Sequence, residues 1–427
     1  MAEDSWIHFC NGEKVVFENQ EIAIFPSIES MTLCRKIASF RDKNNNKKGF
    51  MLYNLDHLVK RFELWKEEFP MVEPFYATKA NNDPVILRIL TAFGCSFDCA
   101  SQNEIDLLIK LGASPSQIIF AHPAKTEESI LFAKAHDVKL LVVDSVEELL
   151  KQSRLFPGSK SVIRISASSS QSISDLSVKF GADPEEEAPE IIKIGAKEGI
   201  NIHGISFHVG TGCEDPAAIP RALRAVKKLI LMGREAGHEM KLVDIGGGFN
   251  GYNDQKFREC AAGARPTIEA LKEELDLRFI AEPGRYIVAP CASICVNVQL
   301  GKEVSAAKIT GNPADKDKRG IEYYITSSVF GTFVCCWYGY LNSEGRPLFP
   351  KGGEQFVSRI WGPTCDSKDQ IETNKMMERL VCGDWIYYDF KGAYTTVYEA
   401  PFNGFPHPEH LFASSEKVWD RIKETLL

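Results

Sequence analysis

Nowhere in these 427 residues does an apolar run approach the ~18 residues that a membrane-crossing helix needs. A membrane partner is therefore not expected. Positive charge is also scarce: 50 Lys and Arg against 58 Asp and Glu leave a net charge of −8. That balance argues against a protein that tracks nucleic-acid phosphates. The first residues, MAEDSWIHFC, lack the basic and apolar regions of a secretory signal, so a cytoplasmic chain is expected. The 12 cysteines form no CxxC pair and no Cys/His ligand spacing, which points to reduced thiols and to no bound metal. No internal repeat or low-complexity tract stands out. What remains is ordinary globular composition, 44% hydrophobic and 25% charged, long enough for two domains or one large barrel with an appendage.

Short apolar runs ending in polar residues set the rhythm of the middle of the chain. They are Phe75–Ala80, Ser96–Ser101, Ile118–Pro123, Lys139–Ser145, Ser161–Ala167, His203–Val209, Lys241–Gly248 and Arg278–Gly284. Amphipathic stretches such as Asp83–Phe93, Ala217–Ala236 and Arg265–Leu275 separate them. Strand and helix alternating eight times predicts an α/β fold, a (β/α)8 TIM barrel over 47–290, although an open doubly wound sheet alternates in the same way. After Pro290 the pattern turns strand-like without long helices, at Glu322–Ile325, Phe333–Tyr338, Phe356–Trp361 and Asp384–Asp389. The N-terminal runs Lys14–Glu18 and Glu21–Phe25 match this second style. A mainly β domain is thus expected from 1–46 together with 291–427. The polar, basic stretch Arg41–Lys48 reads as a solvated linker at the boundary.

In a barrel of this kind the reactive groups stand at the C-terminal ends of the strands. Those ends offer Lys79, Asp98, Arg164, His208, Gly246–Gly248, Glu282 and Arg285. Lys79 closes PFYATK, an apolar run in which an ammonium is costly unless it is paired or chemically consumed. It is either a snorkelling surface lysine or a Schiff-base lysine holding an aldehyde cofactor. Three successive glycines after the seventh run let backbone N–H groups approach an anion, where barrels often bind phosphate; a tight turn is the plainer reading. Arg285 and the Thr211 hydroxyl suit the same anion. Glu282 facing a pyridine nitrogen would keep a ring protonated; otherwise it is a barrel-edge partner of Arg285. His208 suits stacking on a flat ring, or is a satisfied core histidine. Asp98 and Arg164 orient the lysine or help to hold the cofactor.

The segments PFYATK, FDCAS, SVKFGA, SFHVGTGC, DIGGGF, AEPGRY, WGPTCDS and GAYTTVYEAPFNGF run in order over nearly the whole chain. Together they resemble the eukaryotic ornithine decarboxylases, of the pyridoxal 5′-phosphate family that includes arginine, lysine and diaminopimelate decarboxylases and shares the alanine-racemase barrel. The resemblance implies a homodimer whose active sites lie at the interface. It implies Lys79 as the Schiff-base lysine, Glu282 at the pyridine nitrogen and His208 against the ring. Gly246, Gly247, Gly248, Arg285, Thr211 and Tyr394 fall to the phosphate. Cys365 and Asp366 would come from the other subunit, the cysteine to protonate the carbanion left by CO2 and the aspartate to meet the substrate's distal amine. Phe402 joins the substrate wall. An antizyme-type regulator is a further partner that the family implies, and a catalytically inactive antizyme-inhibitor-like protein is the alternative reading.

One position departs from the family pattern. Where relatives acting on ornithine carry an aspartate in a YYVNDGVYG-like segment, this chain has YYITSSVFG, with Ser327 in its place. Losing one charged partner of a buried ammonium is worth ~1.5–3 kcal/mol. Ornithine leads as the substrate, with lysine or an uncharged aliphatic or aromatic amino acid as rivals, and Phe330, Trp337 and Phe402 available as apolar walls.

Overall fold

Parallel strands covered on both faces read as short continuous apolar runs, and eight of them close a barrel in the unit Lys60–Ile287. They are β1 (Val72–Ala77), β2 (Ser96–Cys99), β3 (Ile118–Phe120), β4 (Leu140–Val143), β5 (Lys160–Ile165), β6 (Ile202–Phe207), β7 (Leu242–Asp244) and β8 (Arg278–Ala281). β8 pairs in parallel with β1 and completes the ring. Phe75, Ile119, Leu140, Val142, Val162, Leu242 and Ile280 fill its interior, so the barrel is a packed core rather than a pore. This structure, a computed structural model, describes residues 5–167, 178–338 and 344–426. Ser177, the first residue of SVKFGA, lies outside the described residues.

Four of the helices start on a polar residue that follows its strand closely. Asp83, Ser101, Thr126 and Ser145 accept hydrogen bonds from the first-turn N–H groups of Pro84–Ala92, Gln102–Lys110, Glu127–Ala135 and Val146–Leu155. A cap of this kind typically contributes ~1 kcal/mol. These strand-end residues are thereby accounted for by helix initiation, which sets them apart from Lys79, Asp98, His208 and Glu282.

The second unit, Met1–Val59 with Val288–Leu427, is built on a mixed sheet. Strand Glu409–Ser415 lies parallel between Gln20–Phe25 and Phe50–Asn54. The long strand Ala292–Ser305 continues the sheet from Phe50–Asn54 to Arg319–Ile325, Gln355–Trp361 and Gln370–Glu378. Two apolar cores hold it, one around Ile37, Phe50, Leu52 and Trp385, the other around Val296, Tyr323, Phe333 and Tyr388. No helix among the described residues is long and apolar enough to cross a membrane.

Four expectations need correction. Strand β1 stops at Ala77, and Lys79 stands in the following 3-10 turn Thr78–Ala80, which lifts its side chain to the rim. Phe333–Tyr338 is not a strand; Val334–Tyr338 coils as a 3-10 turn. The helix expected at Arg265–Leu275 runs from Asp254, with Asn253 as its cap and Pro266 inside it. Arg41 does not belong to a solvated linker. Helix Ser30–Lys43 carries it inward to 3% exposure, where it pairs with Glu409 and donates to the Lys48 carbonyl at 2.9 Å.

Candidate active site

Register brings the barrel groups together. Ala77 on β1 pairs with Asp98 on β2, so Lys79, two residues further on, reaches sideways to that carboxylate. Its Nζ lies 2.5 Å from Asp98 Oδ2. Asp98 is 1% exposed, and its Oδ1 has no hydrogen-bond partner among the described residues. The lysine side chain stays 47% exposed.

The loops after β6, β7 and β8 form a knot on the same barrel. The Glu282 N–H donates to the Gly246 carbonyl at 2.7 Å, and the Cys213 N–H to that of Gly248 at 3.1 Å. Gly246 and Gly248 take φ of 65° and 99°, in the region that favours glycine. A Cβ on Gly247 would come within 2.7 Å of the Glu282 carbonyl oxygen and 3.0 Å of His208 Nε2. The glycines thus keep clear the space between His208 and Glu282. Arg285 opens the helical turn Arg285–Val288 and donates from Nη1 to the Tyr252 hydroxyl at 2.9 Å. Thr211 stands in the His208–Cys213 loop, while Arg164, the penultimate residue of β5, has its guanidinium over the Phe180 ring at 5.7 Å.

Burial sets the protonation states. His208 accepts from the Gly210 N–H at Nδ1, 3.0 Å away. Burial, with the Arg164 and Lys79 charges, pushes its pKa down to about 3, so the ring is neutral and its proton sits on Nε2. Glu282 is raised well above the usual carboxylate range by burial and by the Asp244 and Asp98 charges. Burial raises Asp244 as well. Two buried carboxyls side by side cannot both ionise cheaply, so the pair holds a proton. Asp244 lay unnoticed inside DIGGGF; its Oδ1 accepts from the Gly246 N–H at 2.8 Å and shapes the glycine turn. Lys125 was also missed: it is buried beside Glu148 at 2.9 Å, and burial lowers its pKa to about 8.

The remaining candidates lie in the sheet unit. Asp369, 1% exposed, accepts at Oδ1 from the Val329 N–H and the Ser328 hydroxyl, 2.9 and 3.0 Å away. At Oδ2 it accepts from the Thr364 N–H and hydroxyl, 2.9 and 2.7 Å away. One carboxylate thereby clips the Ser327 loop to the Cys365 loop, and nothing in its sequence context signalled this. Gly362 has to be glycine here, since a Cβ would stand 2.2 Å from Asp369 Oδ1. Cys365 is exposed, and its N–H donates to Asn403 Oδ1 at 3.0 Å. Asp366 accepts from the Lys368 N–H at 2.8 Å. Ser327 is buried, its Oγ 2.6 Å from Thr332 Oγ1. Phe330 packs on both Phe402 and Trp337, with centroids 4.6 and 4.8 Å apart. Tyr394 has φ of 55°, a strained conformation for a tyrosine that persists only where its surroundings impose it.

These residues fit pyridoxal phosphate. An amine, a carboxyl pair holding a proton, a neutral imidazole and a cleared glycine cradle beside an arginine answer its aldehyde, ring nitrogen, ring face and phosphate. Residues 55–289 match the pyridoxal-binding domain of the pyridoxal-dependent decarboxylases, and 286–392 match the C-terminal sheet domain of the same family. The chain belongs to the pyridoxal-dependent decarboxylases. More particularly it is ornithine-decarboxylase-like, a carbon–carbon lyase whose cofactor is pyridoxal 5′-phosphate. It is 41% identical to an ornithine decarboxylase of Caenorhabditis elegans over 96% of this chain and 98% of that one. It is 34% identical to an antizyme inhibitor 2 of Xenopus laevis, over 92% and 86%. Among solved structures, an arginine decarboxylase of Paramecium bursaria Chlorella virus bound to agmatine matches with a TM-score of 0.82 and 30% identity, over 90% of this chain and all of that one.

Proposed function

We propose that the chain decarboxylates L-ornithine to putrescine, a polyamine-forming step, as a cytoplasmic homodimer with shared active sites. The observation that carries the reading is the Lys79–Asp98 pair, a buried carboxylate with a half-exposed lysine side chain, in the same barrel as the crowded glycine turn beside His208 and Glu282. The cofactor, when bound, draws electrons from the substrate Cα so that CO2 can leave. Lys79 would hold its aldehyde, with Asp98 steadying the amine. Gly246–Gly248, Arg285, Thr211 and Tyr394 would hold its phosphate. His208, neutral, would serve the ring, and Glu282 with Asp244 would keep a proton at the ring nitrogen. Cys365 returns a proton to Cα, and Asp366 meets the distal amine.

Two observations favour other readings. Ser327 brings no charge to the distal pocket, which suits an uncharged tail. The likeness to an antizyme inhibitor allows an inactive, partner-binding role, against which Lys79 and Cys365 both stand. Release of CO2 from ornithine, lysine, arginine and leucine, measured with added cofactor, separates the three. Ornithine is expected to be the best substrate, and borohydride reduction should label Lys79. Release from none of them would overturn the enzyme reading, and a label elsewhere would remove Lys79 from its role.

A further inference from the structure

Tyr252 has no place in the chemistry above, yet it meets the arginine on which the phosphate reading depends. It follows the glycine turn, where the loop after β7 runs into helix Asp254–Leu275. Its hydroxyl accepts from Arg285 Nη1 at 2.9 Å. The backbone on either side of this contact is braced. Asn250 Oδ1 accepts from the Tyr252 N–H at 2.8 Å, and Asn253 caps the helix that follows. Buried Arg61 donates from Nη2 to the carbonyl of Gly251, next to the tyrosine, at 3.0 Å. The same guanidinium lies 5.2 Å from the ring centroid of Tyr286, next to Arg285. The Tyr286 hydroxyl donates to the Arg61 carbonyl at 3.2 Å. One buried arginine thereby ties together the neighbours of both partners.

We propose that Tyr252 is a positioning residue for the cofactor's phosphate: it aims the Arg285 guanidinium and so raises affinity for the phosphorylated cofactor. The inference rests on the reading of Arg285 as a phosphate ligand and deepens it. A guanidinium carries its five N–H donors in one rigid plane, so a bond at Nη1 sets the direction of the whole fork. An arginine held in advance also loses less rotamer freedom when an anion arrives. The chemistry of the partner matters as much as its position. A carboxylate there would aim the fork equally well but cancel positive charge that a phosphate dianion needs. A phenol, un-ionised near pH 7, aims the fork and leaves the charge in place. Because the hydroxyl acts through Arg285, its worth appears only with a ligand that carries the phosphate.

The test is equilibrium binding of pyridoxal 5′-phosphate to the full cofactor-free chain, beside pyridoxal, the analogue without phosphate, both followed by the absorption of the bound ligand. Tyr252→Phe removes the hydroxyl and keeps the ring. It should weaken binding of the phosphorylated cofactor roughly three- to tenfold, the size of one hydrogen bond, and leave pyridoxal unchanged. In an Arg285→Ala background the same substitution should change nothing further, since the group it aims is gone. An equal loss on both ligands, an equal loss with and without Arg285, or no loss at all overturns the proposal. If Arg285→Ala weakens the cofactor while Tyr252→Phe does not, the phosphate role of Arg285 stands and this inference alone falls. If Arg285→Ala itself costs nothing on the phosphorylated cofactor, the two fall together.

Discussion

Glu282 shows what a residue gains and loses by being placed for chemistry. With no cofactor bound it is a protonated carboxyl, held so by burial and by Asp244 and Asp98. The unfolded chain ionises it above its ordinary pKa, so the cofactor-free fold must keep a proton that the unfolded chain gives up. Stability is therefore full below that value and is lost as pH rises toward the raised folded value. Glu282→Gln removes the titration. The cofactor-free variant should be more stable than wild type at pH 8, with the gap closing toward pH 5, by at most ~1.4 kcal/mol per pH unit. Urea unfolding at several pH values measures it, and a gap that does not vary with pH would refute the account. The acid itself was legible, because a lone carboxylate at a strand end is out of place there. Asp369 was not, because its worth lies in donors as far as 41 residues away.

Among the elements, helix Asp254–Leu275 was half hidden by its own proline. Phe257, Ala261, Ala264, Ile268, Leu271 and Leu275 form one buried stripe at alternating steps of four and three, running straight past Pro266. A proline so close to Arg265 invites reading it as a first-turn residue, which drops the preceding turns. Inside a helix it removes one hydrogen bond and crowds the turn before it, at a cost near 3 kcal/mol. Pro266→Ala should accordingly stabilise the protein by ~1–3 kcal/mol, seen as a higher urea midpoint with an unchanged slope. A lower midpoint would mean that packing has come to require the bend. Strands fared better in the barrel than in the sheet unit. Buried parallel strands are bounded apolar runs, whereas Phe333–Tyr338 is just as apolar and coils as a turn, so period alone could not separate the two.

On the scale of the whole molecule, the proposed homodimer can be tested by mixing. Inactive Lys79→Ala and Cys365→Ala proteins, allowed to exchange subunits, should regain up to about a quarter of wild-type activity if half of the mixed partners form and each carries one intact site. Proven exchange without recovery would rule out shared sites. The alternation of runs was enough to anticipate a barrel, and the style of the N-terminal runs to assign them to the sheet. The order of strands within that sheet was hidden, because pairing between residues near 20 and near 410 leaves no local trace. That pairing also bears on how the protein is made. Strand Glu409–Ser415 is the wedge between Gln20–Phe25 and Phe50–Asn54, so until the ribosome has delivered residue 415 those two strands face each other across a gap. All eight barrel strands have emerged long before then. Synthesis thus imposes an order: the barrel can close during translation, while the N-terminal strands wait with exposed edges through most of it, the interval in which a chaperone would matter most.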